Sequence, residues 1–373
     1  MDGMGDTVTT LAVLARVTSW RIMHLILGIE SSCDETAAAV VGDGHHVLGE
    51  VVRSQAADFA AWGGVVPELA ARGHIQHLPQ VIAEALDQAQ CQGHDLSAIA
   101  VTSYPGLMGS LLCGVTAAKM CAARWNIPLI AVDHIQAHLC AAHLSQASIT
   151  YPAIGLVASG GHSHFYHLTG PSQSRLLGGT IDDAAGEAFD KAAAILNLEY
   201  PGGPAIDRLA ATGDHTALRL PRSLLHSGDL RLSFAGLKTA LLYQMRGPQG
   251  KDPLTASAAE IAHAAASFQA AVVEVLVRKL LQAAASHTCQ QLIIGGGVAC
   301  NSGLRRALQE ACDKHQLALA LPEPRHCADN AAMIAALGYH HWQAGHYAEP
   351  TLSPLPTTAV GPRRHATPAS PGT

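Results

Sequence analysis

Apolar residues occur in short unbroken runs closed by small polar turns. Longer stretches between them repeat apolar positions at helical spacing, a pattern that predicts an α/β chain. His24–Glu30 reads as a strand, Ser31–Thr36 as a polar turn, Ala37–Val41 as a second strand and Val47–Val52 as a third, a hairpin signal. A helix is predicted over Val65–Ala89, a buried strand at Ile99–Thr102 and a helix over Gly109–Trp125. Strand Ile127–Val132 then feeds a helix beginning near Asp133. At Ala153 the pattern restarts, with Ile154–Ser159, a Gly160–Gly161 turn and His164–Leu168 forming another hairpin. Helices Ala184–Leu196 and Ala256–Ser286, strand Gln291–Gly295, helix Ser302–Lys314, strand Leu317–Leu321 and helix Asn330–Ala344 follow. Two halves that each open on a hairpin predict a duplicated α/β fold, with two lobes and a central cleft. The expected division is an N-terminal lobe over 23–150 and a C-terminal lobe with a helical insertion over 151–349. Residues 1–22 lack core periodicity and read as a disordered extension, while 350–373, rich in Pro, Thr and Ser, reads as a disordered tail.

A chain of 373 residues is long enough for two lobes that each bury a core. The net charge of -6 argues against a wide basic surface that grips nucleic acid unaided. Such contact would use local patches, Arg305–Arg306 or Arg219 with Arg222, or the surface of a partner. The nine cysteines include no C-x-x-C pair, the usage of a reducing compartment such as the cytoplasm. No apolar run reaches the ~18 residues that span a bilayer. Leu11–Val17 is interrupted by Arg16 and preceded by Asp2 and Asp6, unlike a secretory signal.

His134 and His138 lie four apart where a strand hands over to a helix, so both imidazoles project from one face and can meet one metal ion. Among 22 histidines, chance alone gives roughly one such pair, and two surface histidines remain the alternative. Asp133 and Asp329 each precede a predicted helix and suit an N-cap. Asp329 would otherwise add a hard oxygen, completing a His/His/carboxylate set. Three glycine-rich turns are expected to follow strands: Ser159-Gly160-Gly161, Gly202-Gly203-Pro204 and Gly295-Gly296-Gly297. Their amides can approach an anion closely, or they simply make tight turns. The dinucleotide pattern G-x-G-x-x-G fails at Cys300 and no P-loop motif is present, which disfavours dehydrogenases and P-loop enzymes. In Asp182–Lys191, helix capping and a Glu187–Lys191 pair explain most of the charge, leaving Asp190 and, further on, Asp207 as acceptors for a ligand. No Ser/His/Asp nucleophile set stands out.

Nine segments occur together in one order: Ile26–Thr36, Gly63–Glu68, His134-x-x-x-His138-Leu139, Ser159–His162, Asp182–Lys191, Tyr200–Pro204, Ser233–Thr239, Gly295–Arg305 and Asp329-Asn330-x-x-Met333-Ile334-Ala335. In this the chain resembles the tRNA N6-adenosine threonylcarbamoyltransferases, the TsaD family, once labelled O-sialoglycoprotein endopeptidases. The resemblance covers about residues 23–345. It implies a duplicated actin-like, Hsp70-like and sugar-kinase-like fold, and an acyltransferase acting in tRNA modification. The implied donor is threonylcarbamoyl-adenylate, and the implied acceptor is the adenosine beside the anticodon in tRNAs reading codons that begin with A. His134, His138 and Asp329 would hold one divalent ion, Fe(2+) first and Zn(2+) as the alternative. Val157, Ala158, Ser159, Gly160, Gly161, Asp190, Gly203, Asp207 and Asn301 would hold the donor, with Asp34 or Glu35 accepting the N6 proton. A paralogous actin-like (TsaB-like) protein and a small P-loop ATPase (TsaE-like) are the implied partners, with no membrane.

This chain departs from the family pattern at Tyr104, usually glycine, at Gln136, commonly Glu, and in its unrecognisable C-terminal ending. Tyr104 would alter the turn beside the cleft, Gln136 removes a carboxylate near the metal, and the ending puts the tail's contacts in question. A zincin-type metalloprotease needs H-E-x-x-H, and Ile135 stands where its base would be. A small-molecule kinase of the same fold would not need the His/His/Asp set, since kinases hold magnesium mainly by carboxylates and phosphates. A non-enzymatic paralogue would lack the metal motif.

Overall fold

All six residues of β1 (Leu25–Glu30) are buried, so this strand must lie inside a sheet covered on both faces. The computed structural model describes residues 23–357 except 60, 61, 63 and 146–148. β1 pairs antiparallel with β2 (Glu35–Gly42), which pairs antiparallel with β3 (His46–Ser54). A single helical turn α1 (Ala56–Phe59), helix α2 (Pro67–Gln88), β4 (Leu96–Tyr104), α3 (Met108–Trp125), β5 (Leu129–Asp133) and α4 (His134–Cys140) complete the first lobe's run. The second lobe holds β6 (Ala153–Ala158), β7 (Ser163–Gly170), β8 (Gln173–Gly179), α5 (Ala185–Ile195), α6 (Gly202–Ala210), α7 (Ala235–Arg246) and α8 (Ala258–His287). It ends with β9 (Gln291–Gly295), α9 (Ser302–His315), β10 (Ala318–Ala320) and α10 (Ala331–Gln343).

The two sheets run β3-β2-β1-β4-β5 and β8-β7-β6-β9-β10. In each, the central strand is antiparallel to the hairpin strand on one side and parallel to the crossover strand on the other. The duplicated architecture expected from the restart at Ala153 is therefore present strand for strand.

One boundary is corrected. α10 belongs by sequence to the second half, yet Ala331–Leu337 pack against Ile26, Ala37, Ala39, Ala98 and Ala100 of the first sheet. Small side chains permit this. A Cβ on Gly28 would sit 2.2 Å from the Ala331 carbonyl oxygen and 2.7 Å from the Ala335 nitrogen. Gly28→Ala should therefore force α10 outward and destabilise the fold by ~1–3 kcal/mol, the usual cost of overpacking. Denaturant unfolding reads this directly, and an unchanged midpoint would show that the helix does not rest on this strand.

A second correction concerns the tail, expected to be disordered from 350. As far as 357 the chain lies along the first lobe: the Leu355 amide donates to the Ser103 carbonyl at 2.9 Å, and the Gly106 amide to that of Pro356 at 3.3 Å. The expectations for 1–22 and for 358–373 fall outside the described residues. Four of these elements escaped the sequence pattern, the first being the single turn α1. β8 is an edge strand with no buried residue, α6 opens on a Gly-Gly-Pro that reads as a turn, and α7 buries only Leu237 and Leu241. α8 is long and apolar enough to cross a membrane by length and composition, but 72% of its apolar window is buried inside the protein. It is a core helix, carrying Phe268, Val272 and Leu276 into the second lobe's main cluster.

Candidate metal centre

β5 ends at Asp133, whose Oδ1 accepts from the amides of Ile135 at 2.8 Å and Gln136 at 3.3 Å, capping α4. The cap sets the helix so that His134 and His138 stand one turn apart on the same side, ring centroids 4.7 Å apart and edge to face. They are 6% and 1% exposed, which removes the surface-pair alternative. Asp329 arrives from the other half of the sequence, just before α10. It does not cap that helix: the Asn330 Oδ1 accepts from the Met333 amide at 2.8 Å instead. The Asp329 carboxylate is thereby free to face the imidazoles, with Oδ1 at 3.5 Å from His134 Nε2 and 3.2 Å from His138 Nε2. The three ligand atoms lie within 4.8 Å of one another.

Behind His134 stands a residue that sequence reasoning missed. Glu30, at the end of β1 and fully buried, accepts from the Ser32 amide at 2.5 Å and from Thr102 Oγ1 at 2.5 Å. Its Oε2 also lies 3.0 Å from His134 Nδ1. A carboxylate on the outer nitrogen of an imidazole is the usual support of a metal-binding histidine, because it fixes the ring and turns Nε2 toward the ion. The signal was in the sequence as a charge closing an otherwise apolar strand.

Burial alone would drive these groups neutral. For His134 the carboxylates of Asp329 and Glu30 outweigh burial and hold the imidazole well above its ordinary range. Against the same burial, His134 holds Glu30 and Asp329 below the usual carboxylate range. Burial, with charged His134 beside it, pushes His138 down. Both ring nitrogens of His138 are buried; Nδ1 has no partner, and Nε2 has only the Asp329 carboxylate at 3.2 Å. A buried imidazole so sparsely satisfied is costly in a closed interior, and a cation shared by Nε2 and Asp329 would satisfy it. Two imidazoles and one carboxylate form a donor set that suits a divalent transition ion.

The other sequence-predicted residues fall into two groups. Asp34 lies in the β1–β2 turn and Glu35 opens β2, where Ser54 Oγ donates to its Oε1 at 3.1 Å. Burial and the nearby carboxylates of Asp329 and Asp34 push Glu35 up to about 9. The residues expected to hold the donor gather near the carboxyl ends of β6 and β9, which pair with Val157 opposite Gly295. Val157 and Ala158 are fully buried in β6, and Ser159 turns the chain through a bond from its amide to the His162 carbonyl at 2.7 Å. A Cβ on Gly160, Gly161, Gly203 or Gly297 would meet nothing within 4 Å, so these four border open space. Their neighbours are pressed against protein: a Cβ on Gly295 would lie 2.2 Å from the His138 carbonyl, which ties the second sheet to α4.

Three predicted acceptors hold the protein's own backbone. Asp190 Oδ1 accepts from the Gly202 amide at 2.8 Å, at the start of α6, while burial raises its pKa. Asp207 receives the Ser302 amide at 3.0 Å and its hydroxyl at 2.8 Å. Asn301 caps α9 through Leu304 at 2.9 Å and donates to Gln269 at 2.7 Å. They fix the glycine turns in place. Tyr104 joins the cis peptide to Pro105 at the end of β4, and Gln136 sits part-buried on α4.

Comparison with known proteins agrees with this geometry. The TsaD family, described as tRNA N6-adenosine threonylcarbamoyltransferase, matches residues 46–336. A protein of that name from Trichlorobacter lovleyi is 50% identical over 321 residues, covering 86% of this chain and 92% of the relative. Another from Geobacter sulfurreducens is 48% identical over 324 residues, covering 86% and 93%. Among solved structures, full-length HypF in its phosphate- and nucleotide-bound form superposes with a TM-score of 0.57 at 13% identity, over 87% of this chain and 47% of that one. The Acidaminococcus fermentans (R)-2-hydroxyglutaryl-CoA dehydratase component A gives 0.51 at 16% identity, over 85% and 98%. These two likenesses speak for the fold alone. The chain belongs to the tRNA N6-adenosine threonylcarbamoyltransferase family.

Proposed function

We propose that this protein transfers the threonylcarbamoyl group of threonylcarbamoyl-adenylate to N6 of the adenosine beside the anticodon in tRNAs reading codons that begin with A. The observation that carries the reading is the convergence of His134, His138 and Asp329, on a buried Glu30, in a chain of this family. The adenosine N6 attacks the carbamoyl carbon, the new C–N bond replaces the C–O bond to phosphate, AMP leaves, and N6 gives up one proton. Because AMP is a good leaving group, positioning is the main task.

The Gly160–Gly161 turn and Gly203 border open space and would face the donor, with Gly297 beside them. Asp190, Asp207 and Asn301 would act mainly by holding those turns. A divalent ion held by His134, His138 and Asp329, Fe(2+) with Zn(2+) as the alternative, would supply a Lewis acid for the threonyl or phosphate oxygens. A carboxyl group raised to about 9 is protonated at neutral pH, which favours Asp34 over Glu35 as acceptor of the N6 proton. Ile135, 2% exposed and packed among apolar side chains, offers no base for peptide hydrolysis. The setting is the cytoplasm. The acidic chain, at net charge -6, would share tRNA with a paralogous actin-like protein and a small P-loop ATPase.

The test mixes purified protein with threonylcarbamoyl-adenylate and unmodified tRNA, then analyses the nucleosides by mass. Modified adenosine should appear once per enzyme, with repeated turnover rising when both partners are added. No product in either condition would remove the reading. A sharper prediction concerns Gly203, where a side chain has space within the protein but would occupy the donor's place. Gly203→Val should melt like wild type yet bind the adenylate at least ~10-fold more weakly, since an interface clash removes directed contacts. Unchanged donor affinity by calorimetry would move the donor elsewhere.

A further inference from the structure

A second group of donors lies apart from the centre described above. We propose that Cys140, His143 and His340 form a separate site for a thiophilic divalent cation, zinc by chemistry, that straps α4 to α10. One ligand atom from each of the three lies within 4.8 Å of the others. Cys140 is the last residue of α4, His143 sits in the 3-10 turn Ala141–Ser145 that continues it, and His340 is in the last turn of α10. Two donors close together on a tight turn and a third brought by a distant helix is the common layout of a zinc site.

The surroundings support this. The imidazoles of His143 and His340 face each other with centroids 5.2 Å apart. The His143 ring is fixed by Tyr151, whose hydroxyl lies 2.9 Å from Nε2, the kind of outer hydrogen bond that orients metal-bound histidines. Burial and neighbouring His45 push His143 down. Burial with His143, His341 and His45 brings His340 to about 4, so both rings are neutral, the form that binds metal. Cys140 is 2% exposed while both histidines are half-buried. Burial pushes the Cys140 thiol up to about 12, so the ion must displace its proton on binding, and the resulting thiolate with two imidazoles selects zinc over the hard cations.

The same two segments thus carry both sites. α4 offers His134 at its start, His138 in its last turn and Cys140 at its end, while Asp329 precedes α10 and His340 lies near its close. At 1.5 Å per helical residue, Asp329 and His340 stand roughly 15 Å apart. A cation at the far end would pin α4 alongside α10 and so hold the histidines of the first set against Asp329.

The two sets differ in one respect that an experiment can read: only the second contains sulfur. Cobalt(II) added to the metal-stripped full-length protein should give a near-ultraviolet thiolate-to-cobalt absorption, which the His134/His138/Asp329 set cannot produce. Cys140→Ser should abolish that absorption and lower bound cobalt by about half. His138→Ala should also halve the cobalt yet keep the absorption. The half-buried His143→Gln provides the same readout with less risk to the core, and should weaken the absorption at least ~10-fold at limiting cobalt. A wild type without thiolate absorption overturns the proposal, leaving the three as packed side chains. So does an absorption that survives Cys140→Ser and vanishes in Cys300→Ser.

Discussion

His138→Ala is expected to leave the protein folded, empty the first metal centre and abolish threonylcarbamoyl transfer in a single turnover. His138 is the ligand with the least else to do. Its Nδ1 has no partner and its Nε2 touches only Asp329, at 3.2 Å, whereas His134 is also held by Glu30 and Ser32. Removing it leaves the Glu30 support in place and strips the site to one imidazole and one carboxylate, too few donors to retain a divalent ion against water. Loss of an outer partner alone typically costs ~10–100-fold in affinity or activity, so loss of a direct ligand should exceed that range. The loss should not be recovered by excess metal. Metal analysis beside single-turnover modification of tRNA decides the matter. Full activity in a metal-free variant would mean that the two imidazoles and Asp329 meet for structural reasons only.

What could be read in the sequence follows from range. β1, β2, β4, β6 and β9 are near-continuous apolar runs because their sheets are covered on both faces, and such runs stand out in any window. The His134–His138 pair was visible because four residues make one helical turn. The pairing with Asp329 was visible only through family resemblance, since no local pattern links residues almost two hundred apart. The return of α10 to the first sheet was not legible for a similar reason. Its Ala-rich face is equally suited to either lobe, and the match to Gly28 and Ala100 exists only in three dimensions. The caps at Asp190, Asp207 and Asn301 were hidden too, because an acidic or amide side chain near a glycine turn looks the same whether it serves ligand or backbone.

Glu30 gives the second large effect, and it separates support from ligation. Its carboxylate receives three donors at once, the Ser32 amide, the Thr102 hydroxyl and the Nδ1 side of His134. Glu30→Gln keeps the shape but replaces one acceptor oxygen by an NH2 group, which must then face a donor inside a sealed pocket. That mismatch costs ~1–3 kcal/mol. The variant also removes the negative charge that strengthens His134 as a ligand and fixes Nε2 toward Asp329. Metal affinity, measured by competition with a chelator, should fall by ~10–100-fold. Unlike His138→Ala, the three direct ligands remain, so raising the metal concentration should bring activity back toward wild type. The depressed pKa of Glu30 also sets a sign: its charge stabilises the fold above the ordinary carboxylate range and is lost on acidification below it. The wild type should therefore lose stability below about pH 4.5 more steeply than Glu30→Gln. Equal metal affinity in the two proteins would leave Glu30 as a capped strand end with no part in the centre.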